Sequence, residues 1–204
     1  IDINISIMTN KLEFIRNLCR SLVKYHEKFN MEQGGDSLAR RILLTGIQGS
    51  GKTRLLSEMK NLGVDCTVIS GSDALRHVLG TEDLVDFDSY SEEKRTMYRG
   101  QAVEYLMELS RTRAHPLIID GHLILRNRKT GKIEVNWNEH DQRLYSEVVV
   151  LNIDAETILQ RRLGDNRDRA LNLEAVAEEL DAEIDAISRF IKDKPVTFIE
   201  QTEL

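Results

Sequence analysis

The chain has 204 residues, of which 41% are hydrophobic and 30% charged, and its formal net charge is −6. This length fits one domain with an appended segment, and the acidic balance disfavours a broad nucleic-acid-binding surface, although clustered arginines can still bind small phosphates. Only Cys19 and Cys66 are present, without metal-ligand spacing, and no apolar run is long enough to span a bilayer. We therefore expect no membrane association and a cytoplasmic or other reduced intracellular compartment.

The first elements in chain order form an N-terminal extension. Residues 11–30 place apolar side chains at helical spacing, which predicts an amphipathic helix, and Gly34 and Gly35 then predict a hinge. We predict an N-terminal helical extension at 1–38, with its helix packed on the core rather than on a partner, and a phosphate-binding domain at 39–204. The chain begins at Ile1 rather than Met, which favours its being a piece of a longer protein, and its oligomeric state stays open.

A phosphate-binding pattern follows the first predicted strand. Residues 41–45 are apolar and bounded by glycine, which predicts a buried strand, and G-x-x-x-x-G-K-T then runs from Gly46 to Thr53. Glycines let successive backbone N–H groups turn toward an anion, and the helix predicted after the loop adds its positive N-terminus. Lys52 would contact the β- and γ-phosphates, and the Thr53 hydroxyl would bind Mg²⁺. The predicted nucleotide-binding residues are Gly46, Gln48, Gly49, Ser50, Gly51, Lys52, Thr53 and Arg54.

Strands alternate with helices along the rest of the chain. Further strands are predicted at 64–70, 116–120, 148–153 and 196–200, and helices at 53–59, 92–113, 155–163 and 173–192. This alternation indicates an α/β fold: a P-loop three-layer sandwich with a five-stranded, mainly parallel sheet, helices on both faces, a short lid and an extra N-terminal helix. Such sheets bind ligands beyond the carboxyl ends of their strands, so the residues just after each strand are candidates for function.

The second and third strands are each followed by polar candidates. Ser72 can cap the next helix, on which Asp73 and Arg76 share one face, either as an ordinary ion pair or near the acceptor substrate. Asp120 ends the sequence LIID and fits a Walker-B carboxylate that supports the Mg²⁺ shell. His122 comes next, either as a catalytic or substrate-contacting group or as a hydrogen-bonded structural residue.

Arginines are concentrated after the fourth strand. Four guanidinium groups lie in one short helix-to-loop segment: Arg161, Arg162, Arg167 and Arg169. Cations of this kind stabilise the loose, charge-rich transition state of phosphoryl transfer. We favour a lid that closes over phosphates; the alternative is a solvated segment whose arginines pair with nearby aspartates.

These segments resemble the adenylate kinase and nucleoside monophosphate kinase group of P-loop enzymes, most closely the short archaeal-type adenylate kinases. GIQGSGKT is similar to the phosphate loop of that family, ISGSDALR to its ISTGDMLR, and LIIDGHLIL to its Asp-Gly or Asp-Thr-His segment. The likeness runs from about residue 41 to residue 200. It implies that Arg76 holds the phosphate of an acceptor nucleotide and that Asp120 and His122 lie in the active site.

Departures from the family pattern fall mainly on the acceptor side. Gln48 stands where the family usually has proline, and Gly71 and Ser72 replace the Thr-Gly that contacts the acceptor. The expected Pro-Arg is absent, so only Arg126 can supply the second acceptor arginine. ATP as donor is thus a firmer implication than AMP as acceptor. Related kinases of RNA or DNA 5′ ends and of sugar nucleotides place an aspartate after the second strand as general base, a role open to Asp73.

The leading hypothesis is a phosphotransferase that uses ATP and Mg²⁺ and acts on a small nucleotide-like acceptor, nucleic acid being possible but not favoured. The predicted catalytic residues are Lys52, Asp73, Arg161 and Arg167; the predicted acceptor-binding residues are Ser72, Asp73, Arg76, His122 and Arg126; the predicted metal-binding residues are Thr53 and, through water, Asp120. Two alternatives stay open: a kinase of a hydroxyl acceptor with Asp73 as base, and a nucleotide-binding regulatory module of a larger protein. The sequence has neither an Asn-Lys-x-Asp element nor a second carboxylate after IID, which favours a kinase over a switch or a motor.

Overall fold

The computed structural model describes residues 39–84, 86–127, 130–165 and 171–200. The predicted N-terminal helix, Cys19, Arg167 and Arg169 lie outside these ranges, so what was expected of them stays a prediction. Among the described residues, none of the helices is both long enough and apolar enough to cross a membrane.

A five-stranded parallel sheet forms the centre of the domain, as the alternation of strands and helices predicted. The strands are β1 (Arg41–Thr45), β2 (Thr67–Ser70), β3 (Leu117–Asp120), β4 (Ile124–Arg126), β5 (Ile133–Val135), β6 (Glu147–Asn152) and β7 (Val196–Glu200). The order in the main sheet is β2-β3-β1-β6-β7, and β4 and β5 form a separate antiparallel pair. Because β1 is the central strand, the loop that follows it opens at the middle of the sheet edge.

Helices connect the strands and cover both faces of the sheet. They are α1 (Lys52–Asn61), α2 (Gly71–Leu79), α3 (Glu92–Arg111), α4 (Glu139–Leu144), α5 (Ala155–Leu163) and α6 (Leu173–Phe190). Leu117, Ile118 and Ile119 are consecutive and all buried, as are the four residues from Val148 on. Successive side chains of a strand point to opposite faces, so both faces of the sheet are covered.

Most predicted elements are confirmed, with shifts at their ends. The helix at 155–163 and the strand at 196–200 have the predicted bounds. Strand β2 begins at Thr67 rather than at residue 64, because the N–H of Val64 still donates to the carbonyl of Met59 in the turn that ends α1. The predicted cap at Ser72 is wrong: α2 begins at Gly71, and Ser70 is the N-cap whose hydroxyl accepts the N–H of Asp73.

The hairpin of β4 and β5 and the short helix α4 have no counterpart among the predicted elements. Each hairpin strand has three residues, which is too short for periodicity to detect. The six residues of α4 are started by Asn138 and Asp141, which form a reciprocal capping box. The hairpin packs on α6, and this contact brings β4 close to the elements that carry the candidate site.

The strand register gathers the candidate residues at one edge. Asp120 of β3 pairs with Leu44 of β1 and with Ser70 of β2. The phosphate-binding loop, the start of α2 and the segment that leads to His122 therefore begin side by side.

Candidate functional site

The loop between β1 and α1 has the backbone that its glycine pattern predicted. Gly49 and Gly51 have φ of 93° and 102°, in the left-handed region that other residues rarely adopt. A Cβ on Gly49 would also lie 3.3 Å from side-chain atoms of Ile158 and Arg162. Glycine is therefore required at the tip of the loop by its backbone conformation and by the close packing of α5 against it.

Lys52 is the first residue of α1 and is only 6% exposed. Its Nζ donates to the carbonyl of Gly46 and lies 3.3 Å from Nε2 of His122. Two predicted site residues 70 positions apart thus meet at the base of the loop. An ammonium group has three donors, so Lys52 can exchange such contacts for phosphate oxygens without leaving this place.

Asp120 has a buried carboxylate oxygen, Oδ1, for which the described residues provide no hydrogen-bond donor. Burial raises the pKa of Asp120; the charge of Lys52 opposes this shift, and the charge of Asp73 adds to it. Native proteins seldom leave such an oxygen without a partner, so an unsatisfied carboxylate at a strand end beside a phosphate-binding loop indicates a place for a ligand, a water or a cation.

The donor set here suits Mg²⁺ better than a metal caged by protein groups. The described residues contain no cluster of three or more His, Cys, Asp and Glu side chains that could hold a metal. Mg²⁺ prefers oxygen ligands, keeps several waters and is often bound by one carboxylate together with substrate phosphates. The Asp120 carboxylate and the exposed Thr53 next to Lys52 fit that pattern. Bound Mg²⁺ would neutralise charge on the phosphates.

Asp73 and Arg76 form the ion pair that their spacing predicted. Arg76 NH1 lies 2.8 Å from Oδ1 of Asp73, and Arg76 Nε donates to the carbonyl of Glu82. The hydrogen bond from the Ser70 side chain and the pair with Arg76 lower the pKa of Asp73. The pair is exposed on α2, with Asp73 in the first turn of the helix and Arg76 in its last turn.

The two described arginines of the predicted lid bind the loop itself. Arg161 donates to the carbonyls of Gly49 and Ser50, at 3.4 and 2.9 Å. Arg162 is 1% exposed, and its Nε donates to the carbonyl of Gln48 at 2.9 Å. Burial, followed by repulsion from Arg54, lowers the pKa of Arg161. Arg162 is thus a buried support beneath the loop, a placement that differs from the lid predicted for it.

Arg126 also has contacts that differ from those predicted. Its Nε donates to Glu179 and its NH2 to Glu178, while its other donors bind backbone carbonyls of the hairpin and α6. These carboxylates raise the pKa of Arg126. Glu179 also accepts from Arg162 at 2.6 Å, so it bridges two arginines. This Arg126–Glu179–Arg162 triad joins the hairpin, α6 and the phosphate-binding loop.

A second carboxylate of α6, one turn beyond Glu179, is a site residue that the sequence prediction missed. Oε1 of Glu183 accepts from the hydroxyl of Thr45 at 2.8 Å; burial raises the pKa of Glu183, and this hydrogen bond opposes the shift. Glu183 is 2% exposed. The signal was present in the sequence, because Glu179 and Glu183 lie on the same helix face as the buried Val176 and Ile187.

The remaining predicted residues lie around this centre. Arg54 is exposed on α1 and pairs with Glu58 one turn later. Ser72 is exposed in the first turn of α2. The structure therefore brings together Lys52, His122 and Asp120, and the exposed Asp73–Arg76 pair lies on α2, which begins at the same edge of the sheet. Arg126, by contrast, binds Glu178 and Glu179 of α6 rather than facing this site.

Comparisons with known proteins agree with this architecture. Residues 45–180 match a family model described as an AAA domain. A Thermus thermophilus protein, TT1252, has a similar structure, with a TM-score of 0.50 and 17% identity over 81% of this chain and 90% of that chain. The solved structures that match also include a shikimate kinase from Bacteroides thetaiotaomicron, with a TM-score of 0.46 and 15% identity over 77% of this chain and 85% of that one. No curated protein matches by sequence.

Proposed function

Since the chain belongs to this AAA domain family, whose model spans the phosphate-binding loop, we propose that it is an ATP-dependent phosphotransferase of the adenylate kinase kind. In this proposal it moves the γ-phosphoryl group of ATP to a nucleotide-like acceptor. One observation carries the proposal: the orphan carboxylate oxygen of Asp120 lies in the same charge cluster as Lys52, at the mouth of the loop. A loop that served only to reverse the chain would need neither the buried carboxylate of Asp120 nor the buried ammonium group of Lys52.

On the donor side, the backbone N–H groups of the loop and Lys52 hold the ATP phosphates. The Thr53 hydroxyl and, through water, Asp120 hold Mg²⁺. Arg161 already contacts the loop carbonyls at Gly49 and Ser50, so a small rotation of its side chain brings a cation to the transferring group. His122, whose Nε2 lies 3.3 Å from Nζ of Lys52, contacts the acceptor.

On the acceptor side, Arg76 binds the acceptor's phosphate by exchanging its pair with Asp73 for a phosphate oxygen. This exchange is accessible because the Arg76 side chain is 38% exposed and its ion pair is on the surface, where such pairs contribute little. An acceptor oxygen then attacks the γ-phosphorus, the bond to the β-phosphate oxygen breaks, and ADP leaves.

A hydroxyl acceptor is the second candidate, and the charge on Asp73 favours it. The Asp73 carboxylate is 58% exposed, and its charge acts on Asp120. An acceptor phosphate would therefore meet two carboxylates, whereas a hydroxyl group would meet an ionised base. In this case Asp73 takes the hydroxyl proton as the oxygen bonds to the γ-phosphorus.

Transfer from γ-labelled ATP separates the candidates. AMP and a panel of hydroxyl acceptors (nucleosides, sugar nucleotides and oligonucleotide 5′ ends) are incubated with the protein and Mg²⁺, with Lys52→Ala as the inactive control. Labelled ADP from AMP supports the adenylate kinase kind of transfer, and label on a hydroxyl that is lost in Asp73→Asn supports the second candidate. Tight ATP binding without transfer to any acceptor refutes both and favours a regulatory nucleotide-binding module.

A further inference from the structure

The carbonyl of Gln48, in the phosphate-binding loop, is held from the side of α5. The buried guanidinium of Arg162 donates to this carbonyl from Nε at 2.9 Å. The peptide between Gln48 and Gly49 is trans and planar, so its N–H points in the direction opposite to its carbonyl. The N–H of Gly49 therefore points away from α5.

Arg161 orients the loop in the same way two residues later. It donates to the carbonyl of Ser50 at 2.9 Å, so the N–H of Gly51 also points away from α5. Gly49 and Gly51 both have the left-handed backbone that such a loop needs. Backbone N–H groups that point to one side of a turn form an anion-binding concavity. The loop thus has carbonyls on the side of α5 and amide donors on the other side.

A carboxylate of α6 fixes the guanidinium of Arg162 in turn. NH2 of Arg162 donates to Oε2 of Glu179 at 2.6 Å, while Oε1 of Glu179 accepts from Nε of Arg126 at 2.8 Å. Glu179 is buried, and low-dielectric surroundings strengthen such contacts. Gly49 also packs closely on Arg162, since a Cβ on Gly49 would lie 3.3 Å from its Cγ. Arg162 thus uses one nitrogen for the loop and another for its anchor.

We propose that Arg162, anchored by Glu179, is a positioning residue of the phosphate-binding loop. It holds the Gln48 carbonyl on the side of α5 and so presents the N–H of Gly49 to the terminal phosphates of a nucleotide. This inference rests on the proposed function for its ligand, Mg·ATP. It goes beyond that function because Arg162 acts through a loop peptide and not on the phosphates themselves.

A lysine in place of Arg162 separates the loop contact from the charge. Arg162→Lys keeps a positive charge beside Glu179, but lysine has one nitrogen where arginine uses two. The ammonium group stays with the carboxylate, because leaving it would create a buried unpaired charge, and the Gln48 carbonyl loses its donor. Arg189→Lys is the matched control, since Arg189 lies on α6, pairs with Asp185 and is 68% exposed.

Amide hydrogen exchange in the nucleotide complex tests the orientation of Gly49 directly. Exchange is followed residue by residue by NMR at saturating Mg·ATP, so that the wild type and the variants are equally occupied. We expect the N–H of Gly49 to exchange about tenfold faster in Arg162→Lys, which corresponds to about 1.4 kcal/mol, with β3 and β6 unchanged. The proposal is overturned by an unprotected Gly49 in the wild-type complex, by equal exchange at Gly49 in both proteins, or by an equal rise throughout the sheet.

Calorimetry measures the affinity of the same proteins for Mg·ATP. We expect about tenfold weaker binding for Arg162→Lys and wild-type binding for Arg189→Lys. If the wild type binds Mg·ATP and Arg162→Lys binds it equally well, the positioning role is overturned while the proposed function stands. If the wild type itself binds no Mg·ATP, the proposed function fails and the role of Arg162 fails with it.

A double variant keeps the tests decisive if Arg162→Lys does not fold. Glu179→Leu with Arg162→Met removes both buried charges, so most of the stability should be recovered. Arg126 keeps its pair with Glu178 in this variant, but the Gln48 carbonyl has lost its donor. A merely structural role would restore Mg·ATP affinity together with stability, whereas we expect the folded double variant to bind Mg·ATP about tenfold more weakly than the wild type. Wild-type affinity in this variant overturns the proposal.

Discussion

Removing the carboxylate that bridges two arginines tests how the loop is supported. In Glu179→Ala, Arg162, which is 1% exposed in the wild type, loses the carboxylate that it contacts at 2.6 Å. Breaking a buried ion pair by removal of one partner costs about 3–5 kcal/mol. The lower end applies here, because Arg162 keeps its hydrogen bond to the carbonyl of Gln48 and Arg126 keeps Glu178. We therefore expect a loss of about 3 kcal/mol in the free energy of unfolding, which lowers Tm by roughly 6–12 °C for a chain of this size.

Urea unfolding followed by circular dichroism measures this loss. Glu178→Ala is the matched control, since Glu178 pairs with the same Arg126 but its side chain is 62% exposed, and its loss should stay below about 1 kcal/mol. A second variant, Glu179→Leu with Arg162→Met, removes both charges and should recover most of the stability. The reasoning is refuted if Glu179→Ala lowers the free energy of unfolding by less than about 1 kcal/mol. It is also refuted if the double variant Glu179→Leu with Arg162→Met is no more stable than Glu179→Ala.

Four further predictions follow from the site and its caps. Lys52→Ala should lower phosphoryl transfer about 10²- to 10³-fold, the usual effect of removing one preorganised donor; transfer at the wild-type rate contradicts its role. Arg76→Ala should raise the acceptor KM about ten- to a hundredfold through loss of a charge-assisted hydrogen bond, and an equal rise in the KM for ATP would show that it is placed wrongly. Burial raises the pKa of Glu183 above its ordinary value of 4.5, so its contribution to stability is present below pH 4.5 and is lost as pH rises through the folded-state pKa. The stability of the wild type minus that of Glu183→Gln should therefore fall as pH rises in urea titrations, and a difference that grows with pH contradicts this. Asp154→Ala should cost about 1 kcal/mol, because Asp154 caps α5 through the N–H of Thr157 at 2.8 Å, and an unchanged urea midpoint would show that the cap contributes nothing.

Local patterns account for the part of the fold that the sequence predicted. The strand before Gly46, the glycine loop and the helix from Lys52 are consecutive, so each supports the assignment of the next. Asp120 could be placed at the sheet edge because it ends an apolar run that must be a buried parallel strand. The pair of Asp73 and Arg76 follows from helical spacing alone.

The support beneath the loop depends on contacts between distant residues, which spacing does not encode. Thr45 and Glu183 are 138 positions apart, and Arg126 and Glu179 are 53 positions apart. Such pairings follow from the crossing of α6 under the loop and not from any local pattern.

The arginines of α5 show how a physical rule could have refined the prediction. Adjacent residues of a helix lie about 100° apart around its axis, so Arg161 and Arg162 leave α5 in different directions, although both donate to carbonyls of the loop. Ile158 lies one turn before Arg162, on the face that is buried against the loop. An arginine at i+4 from a buried isoleucine is better interpreted as a buried structural cation with a carboxylate partner than as a lid residue.

Calorimetric titration of the folded protein with Mg·ATP tests the central claim most directly, namely that the loop after β1 binds the terminal phosphates of a nucleotide. The account predicts saturable binding heat for the wild type and its loss in Lys52→Ala. No binding heat from the folded wild type, or equal heat from Lys52→Ala, would contradict it.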